Sequence, residues 1–139
     1  MTFSEWQATV PAVIRADSLW RVEAYRLSLF LSDLAWDDAK LLLRDPCTCD
    51  VANQLFRAVG KISSNVSEGY SRNTGKARAQ YYEYALGSAR EGRDWYYNGR
   101  HVLGPKRADA RMELTTQIIR LTLTMANQER RSNRRVVKE

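Results

Sequence analysis

The sequence predicts an all-α fold, an up-down-up-down bundle of four helices, and three observations carry that prediction. Apolar residues recur at steps of three and four, while the strict alternation of a strand is absent. Turn signals come roughly every 30 residues, which leaves segments long enough for bundle helices. The chain has 139 residues, 44% of them hydrophobic and 27% charged, which suits one domain with a real core. Four helices joined by three short connections become antiparallel neighbours. At 1.5 Å per residue, a helix of about 25 residues is roughly 38 Å long, so the four match in length.

Residues 4–15 predict a short leading helix, capped by Ser4 and interrupted by Pro11. The first long helix is expected from Leu19 to about Leu43, with Asp17 or Ser18 accepting a free first-turn N–H. Trp20, Ala24, Leu27, Leu31, Leu34 and Leu41 draw its apolar stripe, which Asp38 interrupts. Tyr25, Leu29, Phe30 and Trp36 widen the face, so this helix should touch more than one neighbour. Asp45-Pro46-Cys47-Thr48-Cys49-Asp50 is a turn, since Pro46 disfavours helix at Asp45 and Thr48 or Asp50 can cap the next helix.

The second long helix runs from Val51 to about Ser71 on the stripe Val51, Leu55, Ala58, Val59, Ile62, Val66 and Gly69. Ser63-Ser64-Asn65 is poor helix material, because short polar side chains compete for the backbone. It suggests close packing or a polar contact between helices. After a basic turn, Thr74 caps a third helix from Lys76 to about Val102, with stripe Tyr81, Ala85, Ser88, Gly92, Trp95, Gly99 and Val102. Gly87, Gly92 and Gly99 each cost a helix about 1 kcal/mol relative to Ala, and call for close approach of a backbone or a large ring. Gly104-Pro105 ends that helix and starts the fourth, whose apolar face is Met112, Ile118, Ile119, Leu121, Leu123, Met125 and Ala126. From Glu129 the chain is strongly basic, with only Val136 and Val137 to bury, so fraying is expected. The expected organisation is an N-terminal extension over 1–17, the bundle over 18–128 and a basic tail over 129–139.

The charge is uneven. Residues 1–50 hold eight acids and five bases, net −3, whereas residues 51–139 hold 17 bases and eight acids, net +9. Such asymmetry points to an anionic partner, or to an acidic surface on one copy meeting a basic one on another. Arg72, Lys76 and Arg78 fall at one end of the bundle, and the tail residues Arg130, Arg131, Arg134 and Arg135 leave the fourth helix at that same end. Arg100, Lys106, Arg107 and Arg111 gather at the other. Nucleic acid on these faces would be held through phosphates, with steep salt dependence.

Few residues invite other chemistry. Cys47-Thr48-Cys49 and the single His101 fall short of the paired ligands a zinc site uses, and they read as turn thiols and a helix-end histidine. No nucleophile, base and orienter come together, so neither an enzyme nor a cofactor is expected. Asp38, on an apolar stripe, calls for an arginine from another helix. Tyr81 and Trp95 read as core, and Tyr82, Tyr84, Tyr96 and Tyr97 first as a subunit interface and second as base-stacking rings. The best apolar run, Leu27 to Leu34, is broken by Ser28, Ser32 and Asp33, and Glu5 falls early with no apolar core after it. The expectation is therefore no membrane span, no signal peptide and a reducing, bacterial-type cytoplasm with free thiols.

Asn65-Val66-Ser67-Glu68-Gly69-Tyr70-Ser71-Arg72 resembles the N-[IV]-[AS]-E-G-[FY]-x-R segment of a bacterial four-helix bundle family, the 23S rRNA intervening-sequence proteins. That family includes the accessory variability determinant proteins of diversity-generating retroelements. Tyr81 to Glu91, with Ala85, Gly87, Ser88 and Glu91, resembles its aromatic-rich A-x-G-S-x-x-E helix, and Leu19-Trp20 with Ala24-Tyr25 resembles its first helix. The resemblance spans about residues 19–126. It implies a ring-shaped homopentamer with a basic surface and no enzymatic activity, and for the retroelement members a reverse transcriptase and its template RNA as partners. Asn65, Glu68, Gly69, Gly87, Ser88 and Glu91 would be its structural signature, with Glu68 and Ser88 or Arg72 tying the second and third helices together and Gly69 letting them approach. Residues 1–17 and the Arg-rich tail depart from the usual pattern, and the tail suits contact with RNA or an acidic protein. The sequence thus leads to a nucleic-acid-binding adaptor, with a protein-interaction and oligomerisation module as the alternative.

Overall fold

A computed structural model describes residues 1–138. Seven α-helices come in order: α1 Phe3–Gln7, α2 Ala12–Arg15, α3 Glu23–Leu43, α4 Cys49–Tyr70, α5 Gly75–Asn98, α6 Arg100–Leu103 and α7 Pro105–Lys138. No strand occurs among the described residues. The four long helices, α3, α4, α5 and α7, form a helical bundle in which each packs on the next and α7 returns to α3. The seams α5–α7, α4–α5 and α3–α4 are extensive, and the closing seam α3–α7 is the thinnest.

The start of the chain differs from the expectation. α1 is capped by Thr2 rather than Ser4: the Thr2 hydroxyl accepts from Glu5 N–H, and the Glu5 carboxylate accepts from Thr2 N–H at 2.8 Å. Pro11 does not merely interrupt this segment but opens α2. Trp6 and Val10 bury against Phe30, and Trp6 Nε1 donates to Asp33 at 2.6 Å. The extension therefore covers a second face of α3, which is why that helix is apolar on more than one side. Asp17 caps a turn of 3₁₀ helix over Ser18–Arg21, and extended backbone at Val22 delays α3 to Glu23.

The α4 stripe is buried as expected, with Val51 only half-buried at its start. Ser63-Ser64-Asn65 does not join helices: Ser63 bonds the Gly60 carbonyl, and Ser64 and Asn65 bond the Lys61 carbonyl, all within α4. Thr48 precedes α4 but does not cap it with its side chain, because its hydroxyl donates to the Leu42 carbonyl at 2.6 Å. Thr74 caps α5 as expected, accepting from Ala77 N–H at 3.1 Å. The continuous third helix expected to Val102 is broken at Gly99, leaving α6 as a short remainder.

The core face of α5 lies about one residue round from the expected stripe. Tyr82 and Tyr96 are buried, whereas Tyr81 and Trp95 are half-buried at its margin. Gly69 of α4 explains the first shift. A Cβ there would come within 2.6 Å of the Tyr82 ring, so the glycine is a notch that receives the tyrosine. Gly99 similarly admits Leu42, and Gly92 lies against Val59. Gly104, at φ +85°, makes the turn into α7, and Pro105 is the first residue of that helix.

On α7, Leu123 is exposed, while Thr115 and Thr122 are fully buried with hydroxyls bonded to carbonyls one turn back. Instead of fraying at Glu129, α7 continues as helix to Lys138. Arg78 meets Glu129 at 2.8 Å, Arg130 meets Glu83 at 2.9 Å, and the start of α5 at Gly75 lies against Glu129 and Asn133. Those contacts carry the helix past the end of the hydrophobic stripe. Residue 139 and the side chains of 136–138, the last part of the expected tail, lie outside the described residues. Among the described residues no helix is long and apolar enough to cross a membrane.

Candidate nucleic-acid interface

The antiparallel order places the candidate cations at two ends, as the sequence predicts, but the two ends use them differently. At one end stand the C-terminus of α3, the N-terminus of α4, α6 and the start of α7. There Asp38 is fully buried in α3 and gathers four hydrogen bonds. Arg111 donates from Nε at 2.7 Å and from Nη2 at 3.4 Å, Arg107 from Nη1 at 3.1 Å, and the Tyr96 hydroxyl at 2.8 Å. This is the cross-helix arginine that Asp38 calls for. Arg107 and Arg111 thus hold a buried carboxylate and join α7 to α3. Burial, reinforced by the Asp38 charge, pushes the Tyr96 phenol far above the ordinary tyrosine range. Arg100 stacks on the Tyr97 ring at 3.9 Å, and Lys106 is exposed.

The opposite end is built from the C-terminus of α4, the start of α5 and the last turns of α7. Glu68 on α4 and Arg72, just past its end, pair at 2.8 Å, and Arg72 reaches α5 by donating to the Tyr81 hydroxyl at 3.2 Å and lying 4.9 Å over its ring. The expected tie between the second and third long helices therefore runs through Arg72 and Tyr81. Ser88 is buried and Glu91 exposed on α5, Asn65 bonds within α4, and Gly87 is exposed. Arg78 is half-buried between Glu129 and the Arg72 carbonyl. Arg130 is bidentate to Glu83, which raises the guanidinium pKa further. Lys76, Arg131, Arg134 and Arg135 are exposed, and among the described residues none of them makes a salt bridge. Arg131 and Arg134, with Arg130, Asn127 and Glu83, line a shallow cleft of about 300 Å³.

Two other surfaces stand out. Trp36, Leu43 and Phe56 are exposed where α3 meets α4, and with Ala39, Lys40, Ala52 and Asn53 they line an apolar groove of about 290 Å³. Trp36, expected on the widened apolar face that meets a neighbouring helix, is instead exposed. The four tyrosines read as an interface set divide: Tyr82 and Tyr96 belong to the core, Tyr84 and Tyr97 to the surface. Cys47 and Cys49 are exposed thiols, His101 is exposed on α6, and among the described residues no three His, Cys, Asp or Glu side chains converge as metal ligands would.

The model of one protein family, described as 23S rRNA-intervening sequence protein, matches residues 41–122, from the end of α3 into α7. No curated protein and no solved structure matches the chain.

Proposed function

Since the chain belongs to the 23S rRNA-intervening sequence protein family, we propose that it is a non-enzymatic adaptor that holds RNA or DNA by its phosphates. The single observation that carries this reading is the end of α7, where Arg131, Arg134 and Arg135 stand exposed beside Lys76 and the cations Arg72, Arg78 and Arg130. Cations without carboxylate partners are available to release counterions from a nucleic-acid backbone. Lys106 and Arg100 form a smaller second contact at the other end. In this reading the adaptor acts in the cytoplasm as a homopentamer, which multiplies one basic end by five, and it presents template RNA to a reverse transcriptase. A labelled RNA should bind at about 50 mM salt far more tightly than it binds a neutral helical bundle of the same size, and the affinity should fall steeply as salt rises. Binding no tighter than to the neutral bundle would remove the reading.

A second reading, a module for protein contacts alone, is favoured by the exposed Trp36, Leu43 and Phe56 groove, since aromatic residues are enriched in interfaces. It predicts that reversing the charge of Arg130, Arg131, Arg134 and Arg135 leaves assembly intact and that nucleic acid has no effect.

A further inference from the structure

The solvent face of α5 is drawn by Lys76, Gln80, Tyr84, Gly87 and Arg90, all exposed and three or four residues apart, with the exposed Glu83 next to Tyr84. At its middle the Tyr84 ring stands open, 51% exposed. Its hydroxyl accepts from Gln80 Nε2 at 2.9 Å, and its ring lies edge-to-face with Tyr81 at 5.7 Å and 88°, two contacts that fix the ring while leaving it half exposed. Tyr97, also exposed, differs in that the Arg100 guanidinium lies over its ring.

Arginines meet two neighbours of Tyr84 on α5, Tyr81 and Glu83. Toward α4, Arg72 lies over Tyr81; toward α7, Glu83 holds Arg130, next to Arg131 and Arg134. One turn along is Gly87. A Cβ built there would meet nothing within 4 Å, so no packing inside the chain explains a glycine that weakens a helix interior. An open ring, clear space beside it and the exposed Arg131 and Arg134 toward α7 fit a nucleotide: phosphates on those arginines, base on the ring.

We propose that Tyr84 is a stacking platform for an unpaired nucleobase and that Gly87 clears the space the nucleotide occupies, so the chain prefers single-stranded nucleic acid to duplex. The inference rests on the nucleic-acid reading above. Bases inside a duplex already stack on one another and cannot lie on a tyrosine, whereas splayed bases can.

The test measures fluorescence anisotropy of the full chain with labelled oligo(U) and with an RNA duplex of the same length. Wild type should bind oligo(U) about tenfold or more tightly than duplex. Tyr84→Ala should lose that preference through weaker oligo(U) binding, with duplex binding and thermal unfolding unchanged, and Tyr84→Trp should keep it. Tyr84→Ala binding oligo(U) as tightly as wild type overturns the proposal. If that holds while Arg131→Ala/Arg134→Ala still weakens both probes, stacking alone falls and the phosphate-binding reading stands. If neither probe binds, both fall. A change of particle mass for Tyr84→Ala in sedimentation would assign the ring to contact between copies and also overturn it.

Discussion

The two ends of the bundle carry similar runs of arginine and lysine, yet one end is a keystone and the other a surface. At the first, the fully buried Asp38 draws Arg107, Arg111 and Tyr96 inward. At the second, the nearby acids Glu68 and Glu83 are exposed and Glu129 is half-buried, each holds one arginine, and α7 carries further cations beyond them. A count of basic residues therefore does not locate an anion site. The position of carboxylates relative to the core decides which guanidinium groups remain available.

The largest effect is expected from Asp38→Ala. It leaves two arginines and a buried hydroxyl without their acceptor, and we expect a destabilisation of about 3–5 kcal/mol in urea unfolding. A change under about 1 kcal/mol would mean that Arg107 and Arg111 are not held and belong with the free cations. Next in size is Gly69→Ala, whose Cβ collides with the Tyr82 ring and should cost about 1–3 kcal/mol. Gly87→Ala, with open space around it, should instead raise stability by up to about 1 kcal/mol.

The tyrosines give the pH counterpart. Burial raises the phenol of Tyr96, next to Asp38, and that of Tyr82, where Glu129 adds to the shift. An unfolded tyrosine ionises near its ordinary value of 10.0. Above that pH the unfolded chain therefore binds fewer protons than the folded one, and stability should fall as pH rises. Chemical denaturation across this range should show the fall, with Tyr96→Phe shallower. Stability flat through this range would contradict the burial of both rings. The smallest effect is expected from Arg131→Ala with Arg134→Ala: thermal unfolding within about 0.5 kcal/mol of wild type per site, since among the described residues neither group makes a salt bridge.

Helix existence was legible because each stripe keeps the helical period, and Thr74, Gly104 and Pro105 mark their termini by known cap chemistry. The face of α5 was misread because the sequence cannot show that Gly69 is a notch for Tyr82. Thr115 and Thr122 were missed because a buried threonine satisfied by its own helix looks polar in a hydropathy stripe. The pairing of Asp38 with an arginine came from burial chemistry alone, but which arginines answered it depended on the register between α3 and α7. At the candidate interface, charge gave the ends, while the openness of Tyr84 and the exposure of Trp36 depend on which neighbours cover each helix face.

In this proposal phosphates are held by the cations that make no salt bridge among the described residues. The most direct measurement is the salt dependence of RNA binding, compared between wild type and the Arg131→Ala/Arg134→Ala/Arg135→Ala variant. We predict that the slope of log affinity against log salt becomes shallower by about 0.7 for each single-strand phosphate that the variant no longer neutralises. A variant with an unchanged slope and affinity would contradict it.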